Sequence, residues 1–311
     1  MRIWFRLFGI FCAGCGLLVG AAAVAGHVHP GNGMIAFSSN REELGEIYLM
    51  DIEHNLNVNL THNPGDDTAP DASPDGRYIA FQTSRERNSE IYLMDMQNFA
   101  VHNVSHNPAS DMNPDWSPDG HHIAFVSDRD GNGEIYVLDL ENGSTINVTN
   151  NPAEDAAPSW SPDGHHIAFA SHRDNSTGIY VVNYPQTGQA PDSVTTLLAN
   201  SQTSDMDPAW SPDGRYVAFR SNRGGSGKIY LIDVHDGSTR SLTDNRGIDQ
   251  WPKWSRDGQR LLFWSDRNGN NEIYLMTVTD WLTGMAQRPL IRNLTNNPAR
   301  DMAPAWFPGW Q

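Results

Sequence analysis

Residues 111–125 read DMNPDWSPDGHHIAF, and residues 155–169 read DAAPSWSPDGHHIAF. Near-identical stretches 44 residues apart mark a structural unit laid down more than once. The turn SPDG begins at Ser73, Ser117, Ser161 and Ser211, with SRDG at Ser255, giving spacings of 44, 44, 50 and 44. After each turn comes an apolar triplet (IAF, VAF or LLF), beginning at Ile79, Ile123, Ile167, Val217 and Leu261, with a further copy at Ile35. A second run, Ile-Tyr plus two aliphatic residues, begins at Ile47, Ile91, Ile135, Ile179, Ile229 and Ile273. Each unit ends on a third run: NVNLT, VHNVS, TINVT, VTTLL, TRSLT or IRNLT.

These runs are short, rich in β-branched and aromatic residues, and bounded by turn residues, which is the pattern of strands. In SPDG the proline presets one turn dihedral and the glycine accepts a positive φ. No window carries a sustained 3.6-residue period, so a helical solenoid is excluded. A further strand surrounds Ala72, Trp116, Trp160, Trp210, Trp254 and Trp306, ahead of the turn where one follows. Four antiparallel strands per unit, repeated radially, make the blade of a β-propeller. The repeats begin with a second strand near residues 33–39 and end with an unaccompanied first strand near residues 303–310. Left apart, these would expose two strand edges. The sequence therefore predicts an all-β protein, one domain over residues 26–311. It is a six-bladed β-propeller of four-stranded blades, its ring closed by the C-terminal strand pairing into blade 1.

The chain carries 37 acidic against 21 basic residues, a net charge of −16, which disfavours nucleic acid or an anionic membrane surface as partner. Residues 1–25 differ in kind: MRIWFR is basic, LFGIFCAGCGLLVGAAAVAG is apolar, and Ala23-Val24-Ala25 is a small-x-small site. This is the pattern of a signal peptide cleaved after Ala25, and hence of a periplasmic or secreted protein. The alternative is a retained leader anchoring the chain to the membrane, since about 20 apolar residues span a bilayer. A lipoprotein reading at Cys15 is weaker, with Cys12 standing where a lipobox wants Leu. Both cysteines lie in this leader, so the exported chain is expected to form no disulfide and no thiolate metal site.

Two charged positions recur in every unit. Asp67, Asp111, Asp155, Asp205, Asp249 and Asp301 open the first strand, and Arg41, Arg85, Arg129, Arg173, Arg223 and Arg267 close the second. Antiparallel neighbours bring both sets to one mouth of the channel. Recurrence in all blades favours six structural Asp–Arg pairs over a ligand-gripping ring, because a ligand site uses different residues from different blades.

The consensus DxxPxWSPDGxxIAFxSxRxGxxEIYxM resembles the repeat of the TolB-like (WD40-like) β-propeller family over residues 29–310. Similar repeats occur in propellers attached to prolyl-oligopeptidase-type peptidases and in many exported proteins. TolB proper carries an α/β domain ahead of its propeller. Only a few residues separate Ala25 from blade 1 here, so that domain and its TolA-contacting segment are not expected. The resemblance implies an exported, non-catalytic scaffold of the cell envelope that binds a protein or peptide.

Beside each ring Asp stand Thr68, Met112, Ala156, Met206, Gln250 and Met302, followed by Ala69, Asn113, Ala157, Asp207, Trp251 and Ala303. They vary within a constant frame, as a binding surface at the channel mouth requires, with Met and Trp as adaptable anchors. Thr68, Met112, Asn113, Met206, Asp207, Gln250, Trp251 and Met302 are the candidate binding residues, and the alternative for them is a plugged channel top. No G-x-S-x-G elbow occurs, GGSGK (residues 224–228) lacks the first glycine of a P-loop, and no hydrolase domain is expected after residue 311. The rival class is an enzyme of sugar lyase or lactonase type with its site in the central channel. DRDGNGE (128–134) and DRNGNNE (266–272) resemble the opening of a calcium loop, but are read as hairpin chemistry because the equivalent NRGGSGK and HRDNSTG lack the carboxylates at the first and last positions. His121-His122 and His165-His166 align with Arg77-Tyr78 and Arg215-Tyr216, a solvated hairpin flank. No metal or cofactor is expected, and the protein is expected to be a monomer. Two longer hairpins, residues 183–193 and 279–289, should project from the opposite face, the second bearing Trp281, Leu282 and Met285.

Overall fold

The computed structural model describes residues 33–184, 195–200, 202–244 and 246–308. The expected leader (residues 1–25), Trp310 and residues 185–194 of the first long hairpin lie outside the described residues. Six four-stranded antiparallel sheets form the propeller. Blade 3 shows the unit. Its strands Asp111–Trp116, His122–Ser127, Glu134–Asp139 and Thr145–Asn147 run from the axis to the rim. The SPDG turn between the first two is locked by its own side chains. Ser117 Oγ donates to Asp119 and accepts the His122 N–H at 2.9 Å, while Gly120 sits at φ +74°. Such a backbone suits a residue without Cβ.

The second strand supplies the core. Phe37, Phe81, Phe125, Phe169, Phe219 and Phe263 are at most 1% exposed, packed between neighbouring sheets with the Ile, Leu and Val residues of the third strands. Burying one such side chain contributes roughly 1.5–3 kcal/mol, so the inter-blade seams carry most of the apolar stabilisation.

Blade 1 is assembled from both ends of the repeat array. Asp301–Phe307 pairs antiparallel with Met34–Glu42, with Phe307 opposite Met34 and Trp306 opposite Ile35. The closure is also side-chain deep: Arg41 Nη2 lies 2.9 Å from Asp301, and Phe307 is 1% exposed. Removing residues 303–311 should lower the melting temperature, the loss of Phe307 alone costing about 1.5–3 kcal/mol. An unchanged calorimetric melt for the truncated chain would contradict the closure.

Candidate functional site

The Asp and Arg positions meet within each blade. Arg41, Arg85, Arg129, Arg173, Arg223 and Arg267 reach Asp301, Asp67, Asp111, Asp155, Asp205 and Asp249 at 2.8–3.1 Å. Each guanidinium also lies over the second-strand Phe and third-strand Tyr of its blade, as Arg129 does over Phe125 at 5.5 Å and Tyr136 at 4.4 Å. A flat cation sandwiched between a carboxylate and two ring faces is an arrangement that arginine alone among the side chains can fill. Burial pushes the Asp111, Asp155 and Asp249 carboxyls above their usual range, against the pull of serine hydroxyls and the arginines. The six aspartate side chains are 0% exposed, so they are out of a ligand's reach.

Two residues beyond each aspartate, the inner strand breaks register. Ala69, Asn113, Ala157, Asp207, Trp251 and Ala303 all adopt φ of 48–55°, each just before a proline. The ladder slips there in every blade, as between Met112 and Asp115. This bulge re-aims a side chain. Five of the six left-handed residues, Asn113, Asp207 and Trp251 among them, line a pocket at the axis together with prolines and Lys253.

The position before the bulge behaves differently, which corrects the expectation that all eight candidates line one channel mouth. Met112 stays in the ladder opposite Val126, so its side chain stands on the sheet face. Met112 and Ala156 pack against the core of blades 3 and 4, and Met206 against that of blades 4 and 5. Gln250 accepts a hydrogen bond from Arg220 at 3.1 Å. Thr68 and Met302 line a separate cleft of about 460 Å³ between blades 1 and 2. The sequence variation is thus split between inter-blade clefts and the axis.

Sequence reasoning missed the residue before the strand tryptophan, although it varies in the same informative way: Asp71, Asp115, Ser159, Ala209, Lys253 and Ala305. Lys253 of blade 6 crosses the channel, its Nζ 2.6 Å from Asp115 of blade 3 and 3.6 Å from Asp71 of blade 2. The same aspartates cap the next blade, accepting the N–H of Trp116 and Trp160 at 2.8 Å. Burial alone would depress the Lys253 ammonium, but the two carboxylates outweigh it and hold its pKa above the usual lysine range. Lys253 is therefore a cationic bolt and cannot serve as a base near neutral pH. Burial pushes Asp71 up to about 6 despite Lys253, and Asp207 up to about 6 despite Arg220. Among the described residues, Asp207 Oδ2 has no hydrogen-bond partner.

The hairpin carboxylates that resemble a calcium loop point to separate protein partners. Asp128 accepts the Ser110 N–H, Asp130 the Tyr136 hydroxyl, and Glu134 the Thr149 hydroxyl. Among the described residues no group of three or more His, Cys, Asp or Glu could hold a metal ion, and no helix is long and apolar enough to cross a membrane. The hairpin insertion of blade 6 forms a short helix, Thr279–Leu282, and Trp281 lies under Arg240 of blade 5 at 5.0 Å, while Met285 is 82% exposed.

The family model of the TolB beta propeller domain matches residues 87–196 and 186–288. The chain belongs to the TolB β-propeller family. Its fold is similar to TolB from Acinetobacter baumannii at 22% identity and a TM-score of 0.74, over 94% of this chain and 71% of that one. It is also similar to oligogalacturonate lyase from Vibrio parahaemolyticus, at 14% identity and a TM-score of 0.55, over 80% of this chain and 87% of that one. A chain of a nidogen/laminin complex is similar at 10% identity and a TM-score of 0.64, over 88% of this chain and 98% of that one. At these identities the likeness is one of fold. No curated protein matches this TolB-family propeller by sequence.

Two outcomes are expected of these charges. In a double-mutant cycle on Asp155 and Arg173, denaturant unfolding should find a coupling of about 1–3 kcal/mol, whereas additive effects would contradict the pairing. Asp207 titrates higher in the folded than in the unfolded chain, so its destabilising effect is absent below about pH 4 and complete above about pH 6. Asp207→Asn should therefore raise the melting temperature at pH 7.5, by roughly 1–3 kcal/mol of stability, with the gain vanishing toward pH 4.

Proposed function

We propose that this propeller is an exported, non-catalytic binding module, its leader directing it to the cell envelope and its channel mouth receiving a protein or peptide. The observation that carries this is the shape of the axial pocket. It holds only about 40 Å³ and is closed beneath by Lys253 bridging to Asp115 and Asp71. Pockets that enclose a small-molecule substrate run to about 300–1,000 Å³. A cup this small takes the tip of one side chain, and the rest of the ligand must lie across the face. The cup's walls suit a recognition surface, with Trp251, Asn113 and a buried, half-satisfied Asp207 set among alanines and prolines. The nidogen/laminin likeness supports the reading, since that propeller belongs to a complex of two proteins.

The enzyme reading draws on the likeness to oligogalacturonate lyase and on Asp207, whose raised carboxyl could exchange protons near pH 6. The cup's volume weighs against it, because a sugar ring does not fit beside that carboxyl.

With a partner recovered from an envelope extract, Trp251→Asn should weaken affinity by about tenfold or more in a titration, with the melting temperature nearly unchanged. Asparagine is chosen because it tolerates the left-handed backbone. Met285→Ser, on the hairpin at the other face, should leave affinity intact. Loss of binding in the Met285 variant alone would put the interface on the wrong face. Turnover of oligogalacturonate by the parent and not by Asp207→Asn would establish the enzyme instead.

A further inference from the structure

In four blades the residue after the ring arginine is acidic and meets the tyrosine of the third strand. In blade 1, Glu42 accepts from the Tyr48 hydroxyl at 3.4 Å and from Asn59 Nδ2 at 3.2 Å. In blade 3, Asp130 accepts from the Tyr136 hydroxyl and from Asn147 Nδ2 at 3.0 Å. Glu86 takes Tyr92 in blade 2, and Asp174 takes Tyr180 in blade 4. Blade 6 keeps both donors, with Tyr274 and Asn293 facing each other across the ladder as Tyr136 and Asn147 do. Its hairpin residue, however, is Asn268.

The Tyr274 hydroxyl and Asn293 Nδ2 are both buried, and among the described residues neither has a hydrogen-bond partner. A buried donor left unpaired bears the full cost of its desolvation, so such a group calls for a partner. The asparagine amide is fixed in orientation, because its oxygen accepts the N–H of Thr295 at 3.1 Å and of Asn296 at 3.3 Å. Burial raises the Tyr274 pKa, so the hydroxyl remains a donor at neutral pH.

Both residues border a cavity of about 620 Å³ between the outer strand of blade 5 and the sheet of blade 6. Arg246 on its wall pairs with Asp244 at 3.1 Å, and Arg288 beside them leaves a local positive bias on a chain of net charge −16. Trp281, Pro289 and Ile291 give it an apolar side, two of them from the hairpin insertion that breaks the repeat. Blade 5 does not compose the same site, having Ser241 opposite Tyr230 and Gly224 in the hairpin.

We propose that this groove binds a small organic carboxylate. Its charged end takes the place over Tyr274 and Asn293 that Glu42 and Asp130 hold in their own blades, and its apolar body lies along Trp281, Pro289 and Ile291. The sister blades specify the acceptor as a carboxylate held by one hydroxyl and one amide. Hydrogen bonds to an ionised acceptor are roughly twice as strong as neutral ones, so a neutral amide of the same shape is disfavoured. The two donors are screened from bulk water, and the ligand's oxygen reaches them from the side of the exposed Asn268 hairpin.

Calorimetric titration of the exported chain with benzoate tests this, with benzamide as neutral isostere and inorganic phosphate as an alternative anion. Benzoate should bind about tenfold or more tightly than either. Tyr274→Phe should weaken benzoate by about tenfold and leave the fold intact. Asn268→Asp installs the carboxylate of the sister blades. It should abolish benzoate binding and raise the melting temperature by about 2–4 °C. Trp251→Asn, at the channel mouth, should leave benzoate binding unchanged, which separates this groove from the partner site proposed above. Equal binding of benzamide or phosphate, undiminished binding by Asn268→Asp, or loss of binding in Trp251→Asn would each overturn the proposal.

Discussion

The architecture depends on one backbone constraint, a left-handed residue ahead of a proline in every inner strand. For an L-residue with a side chain this conformation is unfavourable by roughly 1–2 kcal/mol, and here it recurs around a whole ring. Such strain persists only where its surroundings over-determine it. Both flanks do so. Two residues before the bulge, the aspartate is clamped by an arginine held between two aromatic rings. Three residues after it, the strand tryptophan of blades 3 and 4 donates its N–H to the carboxylate of the preceding blade. The proline itself brings no N–H to leave unpaired at the slip.

The division of labour within the repeat follows from that constraint. The clamp is the same in each blade and buried, so it can be copied without change. The bulge turns one side chain per blade toward the axis without disturbing the clamp, so that position can differ in each blade. Asn113, Asp207 and Trp251 are three such differences, and Lys253, two residues beyond Trp251, varies at a second position of the inner strand. Lys253 also does what no single blade can, tying blade 6 across the ring to blades 2 and 3.

The frame was legible in the sequence because it is periodic. Strand count, turn chemistry, ring closure and the pairing of Asp with Arg all follow from residues that recur at fixed offsets. The candidate site was legible only in part. That Met112 and Met206 point into inter-blade clefts while Asn113 and Asp207 point to the axis depends on a register slip, and nothing in residue identity announces a positive φ at alanine or tryptophan. Lys253 and Asn268 show the opposite case. Each departs from the repeat at an aligned position, so an alignment of the blades against one another exposes them. What they touch, Asp115 across the channel or a cavity beside Tyr274, needs three dimensions.

The closing strand has a consequence in time. A ribosome makes the chain from its N-terminus, so Met34–Glu42 emerges well before its partner Asp301–Phe307. At synthesis rates of about 5–20 residues per second, the inner edge of blade 1 stays open for a period on the order of tens of seconds. Throughout that interval it offers a hydrogen-bonding ladder to any extended segment nearby, including the inner strand of a second nascent copy. Exchange of that strand between two chains would close two rings at once, making a swapped dimer the characteristic misassembly of this fold.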